Sequence, residues 1–395
     1  MAAGQWILYK YSVSEKTSRL MRRNDTEESI AVPVTWVRKG RGAVSNIAHR
    51  FESVAREPDG DAAEAERLNG EGFDDKSLPA LSTSTTRETA KSLITYNDSP
   101  DIGFDRSINP YRGCEHGCIY CFARPTHSFL NLSPGLDFET KLVAKYNAVE
   151  LLQRELAATS YKPEVIALGV ITDAYQPIER DLKLTRGVVE ILTRTRHPFG
   201  LITKSSLIER DIDLLTPAAA DGVVAATISI TTLDHSLSRI LEPRAASPTR
   251  RMRTVRTLAA AGIPVTVNVA PIIPFINEPE IERVLEAAAD AGAWQAHYTV
   301  LRLPWEVAPL FMQWLEAHFP DRKERVMKRI REMRGGKNYD SQFGKRMTGE
   351  GPWAALIRQR FAKAAAKFDL NREIPPLRND LFNAPRLNTP QLDLF

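Results

Sequence analysis

The 395-residue chain has three cysteines, Cys114, Cys118 and Cys121, and all fall within eight residues. A disulfide framework needs pairs spread along the chain, so an odd, clustered set does not make one. Clustered thiols point instead to metal or redox chemistry. They sit in the run Gly113-Cys114-Glu115-His116-Gly117-Cys118-Ile119-Tyr120-Cys121-Phe122, with the spacing C-x3-C-x2-C. Three thiolates on one compact loop can bind three irons of a cubane cluster and leave the fourth iron open to a small molecule. The alternative is zinc, with His116 or His127 as fourth ligand. Structural zinc usually pairs its close ligands in two knuckles, and the sequence has no second knuckle.

The elements that must carry this loop follow from the apolar pattern. Short β-branched or apolar runs at residues 106–109, 165–172, 199–204, 223–230, 264–270 and 295–303 predict strands. Helical stretches are expected between them, at 140–159, 181–195, 206–215, 249–261 and 278–291. Gly262, with Pro264 behind it, and Gly292 mark two helix ends. Six strands alternating with helices predict a parallel α/β sheet. Right-handed crossovers curl it into a partial (βα)6 barrel, two units short of eight. The cysteine loop follows the first strand, at the barrel face where chemistry collects.

Outside residues 91–304, which hold the barrel, the chain changes character. Residues 1–90 are expected to be largely flexible. They contain an acidic stretch at 57–75 and the run Ser82-Thr83-Ser84-Thr85-Thr86. They also contain a basic glycine-bearing segment, Arg38-Lys39-Gly40-Arg41-Gly42-Ala43. It could wrap a phosphate backbone or form a flexible basic loop. Residues 305–370 read as a helical extension broken at Pro320 and Gly335-Gly336. Within them, residues 321–337 carry eight basic side chains against three acidic ones. Such a segment is either a polyanion-binding face or a solvated helix face. Residues 371–395 form an extended tail with Pro375, Pro376, Pro385 and Pro390. The composition, 43% hydrophobic and 26% charged with net charge +4, is that of a soluble globular protein. No apolar run is long enough to span a bilayer, and no secretory signal opens the chain, so a cytoplasmic location is expected.

The cysteine spacing, with an aromatic residue before the last cysteine, resembles the signature of the radical S-adenosylmethionine (radical SAM) superfamily. Further stretches resemble a bacterial group of that superfamily related to spore photoproduct lyase, most of whose members have no assigned reaction. They are Ser107-Ile108-Asn109-Pro110-Tyr111-Arg112-Gly113, Pro134-Gly135-Leu136-Asp137-Phe138-Glu139, Tyr175-Gln176-Pro177-Ile178-Glu179 and Leu241-Glu242-Pro243-Arg244. The resemblance implies that Cys114, Cys118 and Cys121 hold a [4Fe–4S] cluster. The cluster cleaves S-adenosylmethionine to a 5′-deoxyadenosyl radical. By place in the barrel, the resemblance also implies cofactor contacts from Tyr120, Thr172, Asp173, Lys204, Ser229, Asn268 and Ala270. Asp173 would accept the methionine ammonium and Lys204 would pair with its carboxylate. The lyase has a tyrosine after its last cysteine, where this chain has Phe122 and so no hydroxyl.

The catalytic residue is not identified. Tyr175 and Tyr298 are candidates as hydrogen donors facing the barrel, or they are core aromatics. Glu242, Arg244 and Arg251 form an ion-pair network or reach substrate, and His127 reads as structural. No fourth cysteine remains to return a hydrogen atom to a product radical, which argues against identity with the lyase reaction.

The last five residues resemble the short peptide by which bacterial polymerases and repair proteins bind the DNA sliding clamp. Gln391, Leu392, Leu394 and Phe395 are its candidate anchors. The expected function is therefore a lyase-like radical SAM enzyme in DNA repair, acting on damaged pyrimidines. Its expected partners are DNA, the sliding clamp and an electron donor such as a flavodoxin or ferredoxin. Two alternatives stay open: radical SAM modification of RNA, protein or a small molecule, and a non-catalytic metal-bearing scaffold recruited to the clamp.

Overall fold

The computed structural model describes residues 37, 39–52 and 81–384. Its strands in chain order are β1 (Ser84–Glu88), β2 (Ile94–Tyr96), β3 (Arg106–Ile108), β4 (Tyr111–Arg112), β5 (Lys141–Lys145), β6 (Ile166–Leu168), β7 (Phe199–Thr203), β8 (Val224–Ser229), β9 (Val265–Ile272) and β10 (Gln295–Val300). Strands β3, β6, β7, β8, β9 and β10 lie side by side in chain order, all parallel. Strand β2 caps the β3 edge in antiparallel register. This is the expected six-stranded partial barrel. The antiparallel edge strand and a small second sheet, β1-β5-β4, come in addition.

Besides a single turn at Glu179–Leu182, the α-helices among the described residues are α1 (Leu136–Thr140), α2 (Ala148–Leu156), α3 (Leu184–Arg194), α4 (Ile212–Ala220), α5 (His235–Leu241), α6 (Pro248–Ala260), α7 (Ile281–Asp290), α8 (Val307–His318), α9 (Lys323–Glu332) and α10 (Gly351–Lys367). Helix α6 starts where its sequence says it must. The Ser247 side chain accepts from Arg250 N, and Pro248 sits in the first turn, where its missing N–H costs nothing. Gly262, at φ +78°, ends it in the left-handed conformation that favours glycine. The main core packs Leu168, Leu201, Ile228 and Val267 of the sheet with Val188, Leu192, Val255 and Leu285 of the helices. Burying each such side chain contributes about 1.5–3 kcal/mol. A second core joins Leu303, Phe311 and Trp314 to Met327 and Ile330, and fixes α8 and α9.

Several expectations are corrected. Residues 141–145 are strand β5, not the start of a helix. Leu142 and Ala144 are buried while Lys141 is exposed, an alternation of period two. The Ser/Thr run lies partly in β1, which pairs parallel with β5, so residues 84–88 are ordered. The helix expected at 181–195 is interrupted at Lys183, at φ 53°.

The basic glycine-bearing segment is not a free loop. Arg41 is buried and donates to the Glu139 and Leu81 carbonyls. Arg38 lies outside the described residues, as do the acidic stretch and the C-terminal pentapeptide.

The basic stretch 321–337 is also largely engaged within the chain. Lys323 pairs with Glu316, Arg329 with Glu332, and Arg325 stacks on Phe275. Arg334 is buried against backbone carbonyls. Lys328 and Lys337 remain exposed.

Candidate active site

The cysteine loop leaves β4 and is held in place by backbone and side-chain bonds from distant segments. Gly113 has φ +77°, and a Cβ there would sit 2.8 Å from His127 Cε1 and Leu142 Cδ2. Glycine is therefore required both by conformation and by space. Cys114 N donates to Phe138 O at 2.9 Å, and Ile119 N donates to Leu241 O at 3.1 Å. Gln176 grips the loop at two points: its Oε1 accepts from Glu115 N at 2.9 Å, and its Nε2 donates to Gly113 O at 3.2 Å. Arg244 pairs with Glu115 at 3.1 Å, and its N–H donates to His116 O at 3.3 Å.

Behind the loop, the Arg124 guanidinium donates to the carbonyls of Gly117, Cys118, Pro134 and Gly135. It also pairs with Glu139 at 2.5 Å, both side chains being fully buried. Glu139 in turn accepts from Gly42 N and Ala43 N, at 3.0 and 2.8 Å. Gln176, Arg244, Phe138 and Glu139 come from three of the stretches singled out in the sequence. Their common task is to hold residues 113–119.

A cavity of about 310 Å³ opens at the C-terminal ends of the parallel strands. Cys114, Cys118 and Cys121 line it together with Tyr120, Thr172, Asp173, Lys204, Ser229, Asn268 and Ala270. The topology explains the convergence. Each of these residues lies in a β9 or β8 strand end or in the loop leaving β4, β6 or β7. Register sets Ser229 beside Asn268 on neighbouring strands. Asn109, just after β3, accepts from Ile171 N and Thr172 N at 2.9 and 3.3 Å and so shapes the loop that carries Thr172 and Asp173.

The electrostatics suit a thiolate centre. Burial pushes the Cys118 thiol up to about 12, with the Lys204 charge acting against it. Burial also raises Cys114 well above the ordinary thiol value. Without metal these thiols stay protonated, so metal binding must displace protons. Burial works against the Lys204 ammonium, but Cys118 as thiolate, with Glu242 and Asp173, outweighs it and holds its pKa above the usual lysine value. Its Nζ lies 5.8 Å from the Tyr120 ring centroid, so an ammonium shares the cavity with the thiols. Among the described residues no three His, Cys, Asp or Glu side chains gather as a single-ion site. His127 lies buried with Nε2 on Lys141 O at 2.9 Å.

Two roles look different in three dimensions. Asp173 is in the cavity wall, but its oxygens are already engaged. Oδ1 accepts from Thr203 Oγ1 at 2.6 Å and Tyr175 N at 2.9 Å. Oδ2 accepts from Lys204 N at 2.7 Å and lies 3.2 Å from His116 Nδ1. Despite burial, these partners hold its carboxyl down at about 2. Asp173 thus holds Lys204 and the cysteine loop in register rather than offering free oxygens to an ammonium.

The two candidate tyrosines do not reach the cavity. Tyr175 is fully buried in the main core. Across a register shift in β10, Thr299 and Val300 line the cavity, while Tyr298 packs against α10 with its ring 4.7 Å from that of Phe361.

Glu242 and Arg251 are a fully buried pair. Glu242 also accepts from the hydroxyls of Tyr120 and Thr231, and Arg251 donates to Ser229 O at 2.9 Å. The network is structural and positions two cavity residues, Tyr120 and Ser229. Sequence reasoning missed His116, Thr203, Thr299, Arg302 and Met347 as wall residues. Arg302 and Thr299 carried a signal, since both fall at the end of the sixth predicted strand.

Residues 108–288 match the sequence profile of the Radical SAM superfamily. An uncharacterised protein of Mycobacterium tuberculosis is 31% identical over 337 residues, covering 80% of this chain and 95% of that protein. An uncharacterised protein of Methanocaldococcus jannaschii is 27% identical over 217 residues, covering 55% and 77%. Among solved structures, a spore photoproduct lyase variant complexed with dinucleoside spore photoproduct aligns with TM-score 0.50 and 14% identity. That alignment covers 78% of this chain and 91% of the lyase, and it supports the fold.

Proposed function

The chain belongs to the radical SAM superfamily, and on that premise we propose that it is a DNA-repair enzyme acting on damaged pyrimidines. Its cofactors are those of the superfamily, a [4Fe–4S] cluster and S-adenosylmethionine. Together they supply one-electron cleavage of S-adenosylmethionine to a 5′-deoxyadenosyl radical. The observation that carries the reading is the cavity at the strand ends, lined by three free thiols and one ammonium.

Each wall residue has a part. Cys114, Cys118 and Cys121 would hold the cluster. Lys204 would pair with the methionine carboxylate, and Thr172 and Ser229 would offer hydroxyls to its polar groups. Tyr120, Asn268 and Ala270 would flank the nucleoside. Asp173 and the Glu242–Arg251 pair would hold these groups in position. The Arg124–Glu139 pair would hold the thiol loop from behind.

The substrate reading draws on the sequence stretches shared with the lyase group. The structural neighbour carries a dinucleoside photoproduct, which names the substrate class to try first. The test is anaerobic iron reconstitution, reduction, and incubation with ultraviolet-damaged or intact DNA. Release of 5′-deoxyadenosine with lesion loss only from damaged DNA is expected. Release without lesion loss refutes the DNA-repair reading, and no release refutes the enzyme reading as a whole.

A further inference from the structure

We propose that Arg302 binds a phosphodiester oxygen of the substrate strand, with Phe122 and Tyr339 flanking the adjoining base. This rests on the reading that the cavity takes nucleic acid beside S-adenosylmethionine. Arg302 lies just past the end of β10 and lines the cavity. Its guanidinium carbon is 5.1 Å from the Phe122 ring centroid and 5.9 Å from that of Tyr339. Nη1 meets Met347 Sδ at 3.4 Å, and Nη2 donates to Tyr339 Oη at 3.3 Å. Nε is buried without an acceptor.

Among the described residues no carboxylate pairs with this charge. Asp101, whose charge Arg302 feels, is already engaged. Its Oδ1 accepts from Gly344 N at 2.7 Å, and its Oδ2 from Arg346 Nε at 2.5 Å. Arg334 adds a second cation beneath. It is buried and donates to the carbonyls of Val300, Leu301 and Lys345. Burial and the Arg302 charge push Arg334 down to about 10. Arg334 lies behind Arg302 and outside the cavity lining; Asp101 and Asp340 act on the two guanidiniums through space, but among the described residues neither forms a salt bridge with a carboxylate.

A guanidinium whose direct contacts are a thioether and a phenol, with Nε left over, keeps donors for an incoming anion. The planar fork of arginine matches a phosphate, and aromatic faces accept bases of any sequence. A nucleotide offers both features side by side. A simple carboxylate would leave the two rings without a role.

The test titrates the reconstituted holoenzyme, with S-adenosylhomocysteine bound, against a photodamaged thymine dinucleotide. One sample carries the natural phosphodiester and the other a neutral methyl phosphotriester. The wild type is expected to prefer the diester by about tenfold, the low end for a hydrogen bond to a charged group. R302Q is expected to bind both forms alike, and R302K to keep a reduced preference. An unchanged preference in R302Q overturns the assignment, as does a wild type that binds both forms equally. Should R302Q fold poorly, R302K decides: a reduced preference supports the assignment and an unchanged one overturns it. Release of 5′-deoxyadenosine by the wild type is scored separately. Release without diester preference removes the Arg302 role and leaves the cofactor chemistry standing. Diester preference without release does the reverse.

Discussion

Arg124 and Glu139 form a fully buried ion pair, 2.5 Å apart, directly behind the cysteine loop. Between them they bind two loop carbonyls, at Gly117 and Cys118, and the backbone N–H groups of Gly42 and Ala43. A segment some 70 residues upstream is thereby tied to the back of the thiol site. Removing one partner leaves an uncompensated buried charge and open backbone groups.

For that reason Glu139→Gln is expected to destabilise the protein by about 3–5 kcal/mol. Denaturant unfolding measures the loss. The iron bound per chain after reconstitution should fall with it, because the same pair shapes the loop.

Gly42→Ala tests the same junction by packing. A Cβ at Gly42 would lie 1.7 Å from the Gly117 carbonyl oxygen, a backbone atom that has no rotamer to change. The expected outcome is a lowered unfolding temperature and poor cluster retention, while Gly40→Ala, with open space around it, should retain the cluster. Gly40→Ala still carries a cost of about 1 kcal/mol or more for its positive φ.

Lys204 and Tyr298 separate cavity residues from bystanders. Lys204→Gln removes the one ammonium beside the thiols. It should weaken S-adenosylmethionine binding by about tenfold or more, as loss of a charge-assisted bond does. Equilibrium dialysis on the reconstituted protein reads this. Tyr298→Phe, at a position packed against α10, should release 5′-deoxyadenosine at the wild-type rate. A large loss in that variant would contradict its placement.

His197 sets a pH dependence of stability. Its Nδ1 lies 2.9 Å from Pro198 O, and its Nε2 lies 2.7 Å from Tyr161 Oη. Burial, with a contribution from the Arg106 charge, drives its pKa down to about 4. The unfolded chain therefore takes up the proton first as pH falls from about 6.5. The stability held by the neutral ring is fully present above that pH and lost progressively toward pH 4. The loss is on the order of 3 kcal/mol. Unfolding curves at pH 7 and pH 4.5 measure it, and His197→Phe should flatten the difference.

Much of the barrel was legible because its signals are local. Strand runs such as 199–204 and 223–230 alternate or stay apolar over a few residues, and helix ends such as Gly262 announce themselves. The thiol spacing and its place after the first strand were legible for the same reason. The run Lys141–Lys145 misled because an apolar helical stretch follows it directly, and only pairing with β1 and β4 makes it a strand.

Sequence alone determined the thiol set, the order of the parallel strands and which strand ends reach the cavity. The tertiary structure decided which polar groups are free to act there. Asp173 looked like a ligand, and its oxygens accept from Thr203, Lys204 and Tyr175 with His116 beside them. Arg41 looked like a phosphate contact and is buried on the Glu139 carbonyl, whereas Arg302 drew no notice and stands without a carboxylate partner among the described residues. The physical reason is range. Periodicity and spacing are properties of neighbours in the chain, while a charge among 53 basic and 49 acidic side chains finds its partner only when distant segments pack together.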